Sequence, residues 1–274
     1  MAAQPEITNM ALFCDFENVA LGVRDARYPS FDIQKVLERL LLKGSIVVKK
    51  VYCDWDRYKE FKATMHEASF ELIEIPHVRQ SGKNSADIRM VVDALDLCYT
   101  KSHVDTFVII SGDSDFSPLV SKLRENNKHV IGIGVKDSTA NLLTANCDEF
   151  IFYDDLVREQ EAKKKRAEKA SPKKAAVSKS KPSAAKTEAD RHQEALEFIV
   201  ETVEALVVER GSDEKIWGSL VKTTMQRRRP GFTESYYGYR SFKDLVEEAQ
   251  RQKLLTVVKD QNSGQYTLYL PASD

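Results

Sequence analysis

The chain has 274 residues, 42% of them hydrophobic and 30% charged, with a formal net charge of −1. It is long enough for more than one domain and has an ordinary globular composition. No apolar run approaches the roughly 20 residues that span a bilayer, and the opening MAAQPEITNM has neither the basic start nor the apolar core of a secretory signal.

In chain order, Met10–Asp15 predicts a first strand, and a loop through Tyr28-Pro29-Ser30 leads to a helix over Phe31–Leu42. A strand over Ile46–Asp54, a helix over Tyr58–Ser69 and a short strand over Glu71–Pro76 follow. His77–Asn84 reads as a polar loop and Ala86–Tyr99 as a helix. The apolar run Phe107–Ile110 has the look of a strand buried on both faces, and it opens FVIISGDSDFSPL. The helix after it carries Leu119, Val120 and Leu123. The segment Lys128–Val135, a short helix over Thr139–Ala145 and a last strand over Glu149–Tyr153 close the region. Strands and helices alternating at this length predict an α/β fold, a parallel sheet with helices on both faces.

The net charge conceals a division. Residues 1–160 hold 19 Lys+Arg and 25 Asp+Glu, a net of −6; residues 161–191 hold 11 and 4, a net of +7; residues 192–274 hold 11 and 13, a net of −2. Residues 159–190 are Lys, Ala, Ser and Pro with almost no large apolar side chain. They read as a basic, disordered linker whose start can prolong the preceding helix. Beyond it, helices over His192–Val208, Lys215–Met225 and Phe242–Lys253 precede a hairpin of Leu254–Val258 and Gln265–Leu270. That order suggests a winged helix-turn-helix.

The functional signal is a set of acids. Asp15, Asp54 and Asp113 follow three strands at their carboxyl ends, where open α/β sheets bind ligands. Asp87 opens a helix. Buried unpaired carboxylates are costly, so a cluster implies a shared cation or a shared proton. Mg²⁺ is held by carboxylate oxygens, and two such ions can activate water against a phosphodiester. Each Asp could instead be a helix cap, as could Asn18 and Asp115. Asp93 lies about 240° around the helix from Asp87 and does not share its face. Lys83 and Arg79 could hold a phosphate or be solvated loop charge.

Other chemistries lack their motifs. Gly132-Ile133-Gly134 has no third glycine opening a helix, no Gly-Lys-Ser/Thr phosphate loop exists, and no serine sits in a nucleophile elbow. The four cysteines, Cys14, Cys53, Cys98 and Cys147, form no Cys-x-x-Cys pair. They suggest reduced thiols and a cytoplasmic protein. A phosphotransferase using Asp15 as nucleophile is conceivable, but Glu17 stands where such enzymes usually carry a second aspartate.

The segments CDFEN, KNSADIRMVVDAL, VIISGDSDFSPLV and STANLLTANCDEFIFYDDL resemble the NYN domain, a member of the PIN-like nuclease group. The resemblance covers roughly residues 8–157, within a domain over residues 1–158. It implies a Rossmann-like sheet and a Mg²⁺- or Mn²⁺-dependent endoribonuclease. Asp15, Asp87 and Asp113 would then hold the metal, with Asn18, Asp54 and Asp115 completing the site. The loop Lys83-Asn84-Ser85-Ala86-Asp87 departs from relatives that carry glycine near Asn84.

Residues 191–274, through WGSLVKTTMQRRRPGFTESYYGYRSFKDLVEEAQRQKLLTV and GQYTLYL, resemble the LOTUS (OST-HTH) domain. That resemblance implies RNA binding, G-quadruplexes included. Arg227, Arg228 and Arg229 beside Tyr236 and Tyr237 would supply phosphate contacts and stacking faces, or else pack the helix turn. The rival expectation is an RNA-binding adaptor with an inactive nuclease fold.

Overall fold

The computed structural model describes residues 8–75, 85–170, 188–211, 214–259 and 265–271. The chain divides into two compact units, meeting in sequence near residue 173. Among the described residues no helix is long and apolar enough to cross a membrane.

Among the described residues the first unit holds six parallel strands: β1 (Asn9–Asp15), β2 (Ser45–Cys53), β3 (Glu71–Glu74), β4 (Thr106–Ile110), β5 (His129–Gly134) and β6 (Glu149–Phe152). Their order across the sheet is β3-β2-β1-β4-β5-β6. Among the described residues the accompanying α-helices are α1 (Phe16–Asp25), α2 (Ile33–Lys43), α3 (Lys59–Glu67), α4 (Ser85–Thr100), α5 (Ser117–Glu125), α6 (Asn141–Asn146) and α7 (Tyr153–Ala170).

Side chains alternate across the central strands, as the twofold period of a strand requires. Met10, Leu12 and Cys14 of β1 join Val108 and Ile110 of β4 in one core with α1, α2, α3 and α7. Ala11 and Phe13 join Phe107 and Ile109 in a second core with α4, α5 and α6. A sheet covered on both faces explains the near-continuous apolar runs of β1 and β4.

Sequence periodicity places no helix at α1. The strand passes into it without a loop, Asp15 acting as its N-cap and accepting from the Asn18 N–H. Phe16, Val19 and Val23 nonetheless repeat at helical spacing and are buried. α7 prolongs the last part of the unit, as the start of the basic stretch allows. It runs to Ala170, into the stretch that composition marks as a disordered linker. Its Glu, Ala, Lys and Arg residues lack core-forming side chains but are strong helix formers. Residues 171–187 lie outside the described residues.

The second unit packs α8 (Glu188–Arg210), α9 (Gly218–Arg228) and α10 (Phe242–Arg251) against an antiparallel sheet. Its strands are β7 (Ile216–Trp217), β8 (Thr256–Lys259) and β9 (Tyr266–Tyr269), in the order β7-β9-β8. The two-residue β7 stands where helical periodicity expects the start of α9. β9 pairs with Ile216 and Trp217, and this extends them.

Gly132 shows how closely β5 and β6 are packed. A Cβ there would stand 2.3 Å from Phe150 Cδ2 and 2.9 Å from Cys147 Sγ. Gly132→Ala should therefore destabilise the first unit by about 1–3 kcal/mol through overpacking. Urea titration should show the loss, and a second change, Phe150→Leu, should recover part of it.

Candidate active site

The sheet order places β1 beside β4, where the winding of the sheet reverses direction. Segments leaving these two strands diverge to opposite faces, and the opening between them is the usual ligand crevice. β1 ends on Asp15, and β4 leads into Ser111, Gly112 and Asp113.

Asp15 is only 7% exposed. Its Oδ2 accepts from Ser111 Oγ at 3.0 Å, and Asn18 N–H approaches its Oδ1 at 3.4 Å. Asn18 Oδ1 accepts from the Gly112 N–H at 2.8 Å, tying the first turn of α1 to the β4 loop. The Gly112 carbonyl accepts from the Ala140 N–H at 2.9 Å, so the β5 loop is held there too. Asp113 caps the short 3₁₀ turn Ser114–Phe116, accepting from the Asp115 N–H at 2.9 Å.

Asp87, half-buried in the first turn of α4, completes the edge. Burial lifts the Asp15 carboxyl to about 7, and the charges of Asp87 and Asp113 add to the rise against the pull of Asn18 and Ser111. Asp87 is raised to about 6, by burial first and then by Asp113, Asp115 and Glu17. Asp15, Asp87, Asp113 and Asp115 thus share one electrostatic environment although they lie far apart in the chain.

Asp54 stands further along the edge. It is buried, accepts from the Asp56 N–H at 3.1 Å, and donates its own N–H to Glu17 Oε1 at 3.2 Å. Glu17 thereby joins Asp54 to the acids around Asp87, with Arg57 3.8 Å from its other oxygen. Sequence reasoning uses Glu17 only as an argument against a phosphotransferase. The missed signal was its place in the first turn of an unrecognised helix. Asp93 accepts from Tyr52 Oη at 2.8 Å and pairs with Arg89 and Lys50, a structural role away from the edge. Arg79 and Lys83 lie outside the described residues.

Among the described residues, no three His, Cys, Asp or Glu side chains form a group that could hold a metal ion. The donor chemistry fits a hard divalent cation, being all carboxylate and carrying mutually repelling charge. The set is open as it stands, and Asp15 and Asp113 each accept from a backbone N–H.

In the second unit the basic cluster is largely occupied. Arg228, with a side chain 10% exposed, pairs with Glu201 at 2.6 Å and reaches Thr202 Oγ1 at 3.1 Å. Arg229 pairs with Glu194 at 3.4 Å and covers the Phe198 ring at 4.1 Å. Arg227 is half-buried. Tyr237 belongs to the core, whereas Tyr236 is 56% exposed with the Arg191 guanidinium 5.0 Å from its ring centre.

The doubly covered parallel sheet with acids at its reversal point is consistent with a PIN-like fold. The chain belongs to the NYN domain family, whose match covers residues 9–154. It is similar to the uncharacterized protein MJ0482 of Methanocaldococcus jannaschii, at 29% identity over 140 residues. Half of this chain and 55% of that protein are covered, so the chain spans about half the length of the curated relative it matches. It is also similar to the crystal structure of VPA0982, a protein of unknown function from Vibrio parahaemolyticus, with a TM-score of 0.50 and 26% identity. That likeness covers 56% of this chain and 98% of the other.

The raised carboxyls have a signed consequence for the metal-free protein. The folded chain keeps the Asp15 proton that the unfolded chain releases near 3.8, so this stabilisation is full below 3.8 and lost as pH rises through about 7. Asp87 acts with the same sign and fades through about 6. Urea midpoints should show Asp15→Asn gaining on the wild type as pH rises, with the gap widest above about pH 7.

Proposed function

We propose that the first unit is a metal-dependent endoribonuclease, with Asp15, Asp87 and Asp113 holding Mg²⁺ or Mn²⁺. The observation that carries this reading is the convergence of these acids at the sheet's reversal point, where burial and neighbouring acid charge raise Asp15 and Asp87. Among the described residues no cation is prominent among the charges acting on Asp15 or Asp87. A bound divalent ion supplies charge neutralisation and Lewis acidity toward a phosphodiester. The chain's own residues set the frame. Ser111 and Asn18 fix Asp15 and the β4 loop; Glu17 and Asp54 border the edge; Asp115, exposed at the rim, positions water.

The second unit is proposed to be a LOTUS-type winged helix that binds RNA. Its three helices followed by an antiparallel strand pair support that reading. The contact surface is narrower than the sequence implies, since Arg228 and Arg229 are engaged within the unit. Tyr236 with Arg191 is the exposed stacking element. The basic stretch between the units would raise the local RNA concentration. A second reading, an inactive RNA-binding adaptor, draws its support from the open ligand set.

The deciding assay incubates labelled single-stranded RNA with the full chain and Mn²⁺. Cleavage by the wild type, reduced more than about 100-fold in Asp113→Asn, supports the nuclease; outer partners of a metal site alone cost 10–100-fold. Equal cleavage by both proteins marks a contaminant, and binding without cleavage under every metal identifies the adaptor. In the second unit Arg228→Ala should cost about 1–2 kcal/mol of stability through the lost packing of its largely buried side chain and the lost Thr202 hydrogen bond, since Glu201 stays solvated. Tyr236→Ala should leave the melting temperature in place and weaken RNA binding in a filter assay.

A further inference from the structure

A cleft of about 690 Å³ opens between α4 and α5, and the acid edge forms one end of it. Asp87 and Asp115 line that end. Its walls are apolar: Ile88, Val91 and Val92 from α4, Pro118 from α5 and Leu142 from α6. Three of these are exposed in a way a closed fold does not require, Ile88 at 63%, Val92 at 55% and Leu142 at 59%. Three serines, Ser114, Ser117 and Ser121, interrupt the apolar lining, and Ser117 stands out among them. It is 5% exposed, it lines the cleft, and its Oγ has no hydrogen-bond partner. An orphaned buried hydroxyl costs free energy unless a partner arrives.

We infer that this cleft is the nucleoside subsite of the RNA substrate, seating the base and ribose next to the phosphate that lies at the acid edge. The inference rests on the nuclease reading and specifies how that site holds its substrate. Asp87 and Val91 are one helical turn apart on α4, about 6 Å along its axis, so a phosphate at Asp87 puts its own nucleoside against Val91 and Val92. The aliphatic walls cover the faces of a splayed base, and Ser117 Oγ supplies the polar contact that orients it. An apolar wall reads the base by shape, so the subsite is tolerant of sequence. The continuity of the cleft with Asp87 and Asp115 favours a substrate over a protein partner, because any occupant seated there reaches the acids directly.

The test uses the full chain and single-stranded RNA carrying 4-thiouridine. Light-induced crosslinks should map by mass spectrometry to the α4 segment 88–92 or to Leu142. Val92→Glu, at an exposed position, should raise KM about tenfold in Mn²⁺ while kcat stays within about twofold. Ser117→Ala should move KM in the same direction, and circular dichroism checks that both variants fold. Unchanged KM in both variants, or crosslinks confined to other surfaces, overturns the subsite while leaving the nuclease reading intact. A change of oligomeric state in Val92→Glu, seen by light scattering, with KM unmoved, reassigns the cleft to a second copy of the chain and also overturns it. If the wild type cleaves no RNA under any metal, the nuclease reading falls, and crosslinks in the cleft still decide whether nucleosides bind there.

Discussion

Everything at the candidate site depends on a carboxylate that the fold keeps out of water. Asp15 terminates the central strand of a sheet covered on both faces, so it cannot turn to solvent without unwinding the start of α1. The protein tolerates it through hydrogen bonds from Ser111 and Asn18 and a tighter hold on its own proton, rather than through an ion pair. The same side chain caps a helix, binds the β4 loop and anchors the charge that raises the edge. Stability and chemistry therefore compete at one residue, as buried charges at functional sites often require.

The second consequence concerns geometry. The strand ends supply oxygens from β1 and the β4 loop, and α4 supplies another, but caps and turns already use several of them. An acid that caps a helix in the resting chain still has oxygen lone pairs to offer, and a cation would relieve the repulsion that burial has built up. The open set and the raised carboxyls are thus two faces of one arrangement. The relatives at 29% and 26% identity are themselves of unknown function, so the chemistry rests on the family and on these side chains.

The second unit carries a different lesson. A run of three arginines reads as a phosphate-binding patch, yet Arg228 and Arg229 hold α8 to the end of α9 through Glu201, Glu194 and the Phe198 ring. Guanidinium groups serve either purpose, since their fork matches carboxylate and phosphate alike. Adjacent tyrosines also divide: Tyr237 fills the core and Tyr236 faces outward. A nucleic-acid contact by this unit would therefore draw less on Arg228, Arg229 and Tyr237 than the sequence implies.

The sequence by itself determined the alternation of strands and helices, the buried character of β1 and β4, and the acids that follow them. These are local properties: apolar runs, helical spacing and the turn chemistry of Asp and Gly. It left α1 unseen because no loop separates that helix from its strand, and it left Glu17 without a role for the same reason. Only the tertiary structure decided that Asp87 comes within electrostatic reach of Asp15 and Asp113, that Asp54 stands apart beside Glu17, and that Arg228 and Arg229 are engaged internally. Those facts belong to strand order and helix placement, which bring together residues whose separation along the chain carries no record of their distance in space.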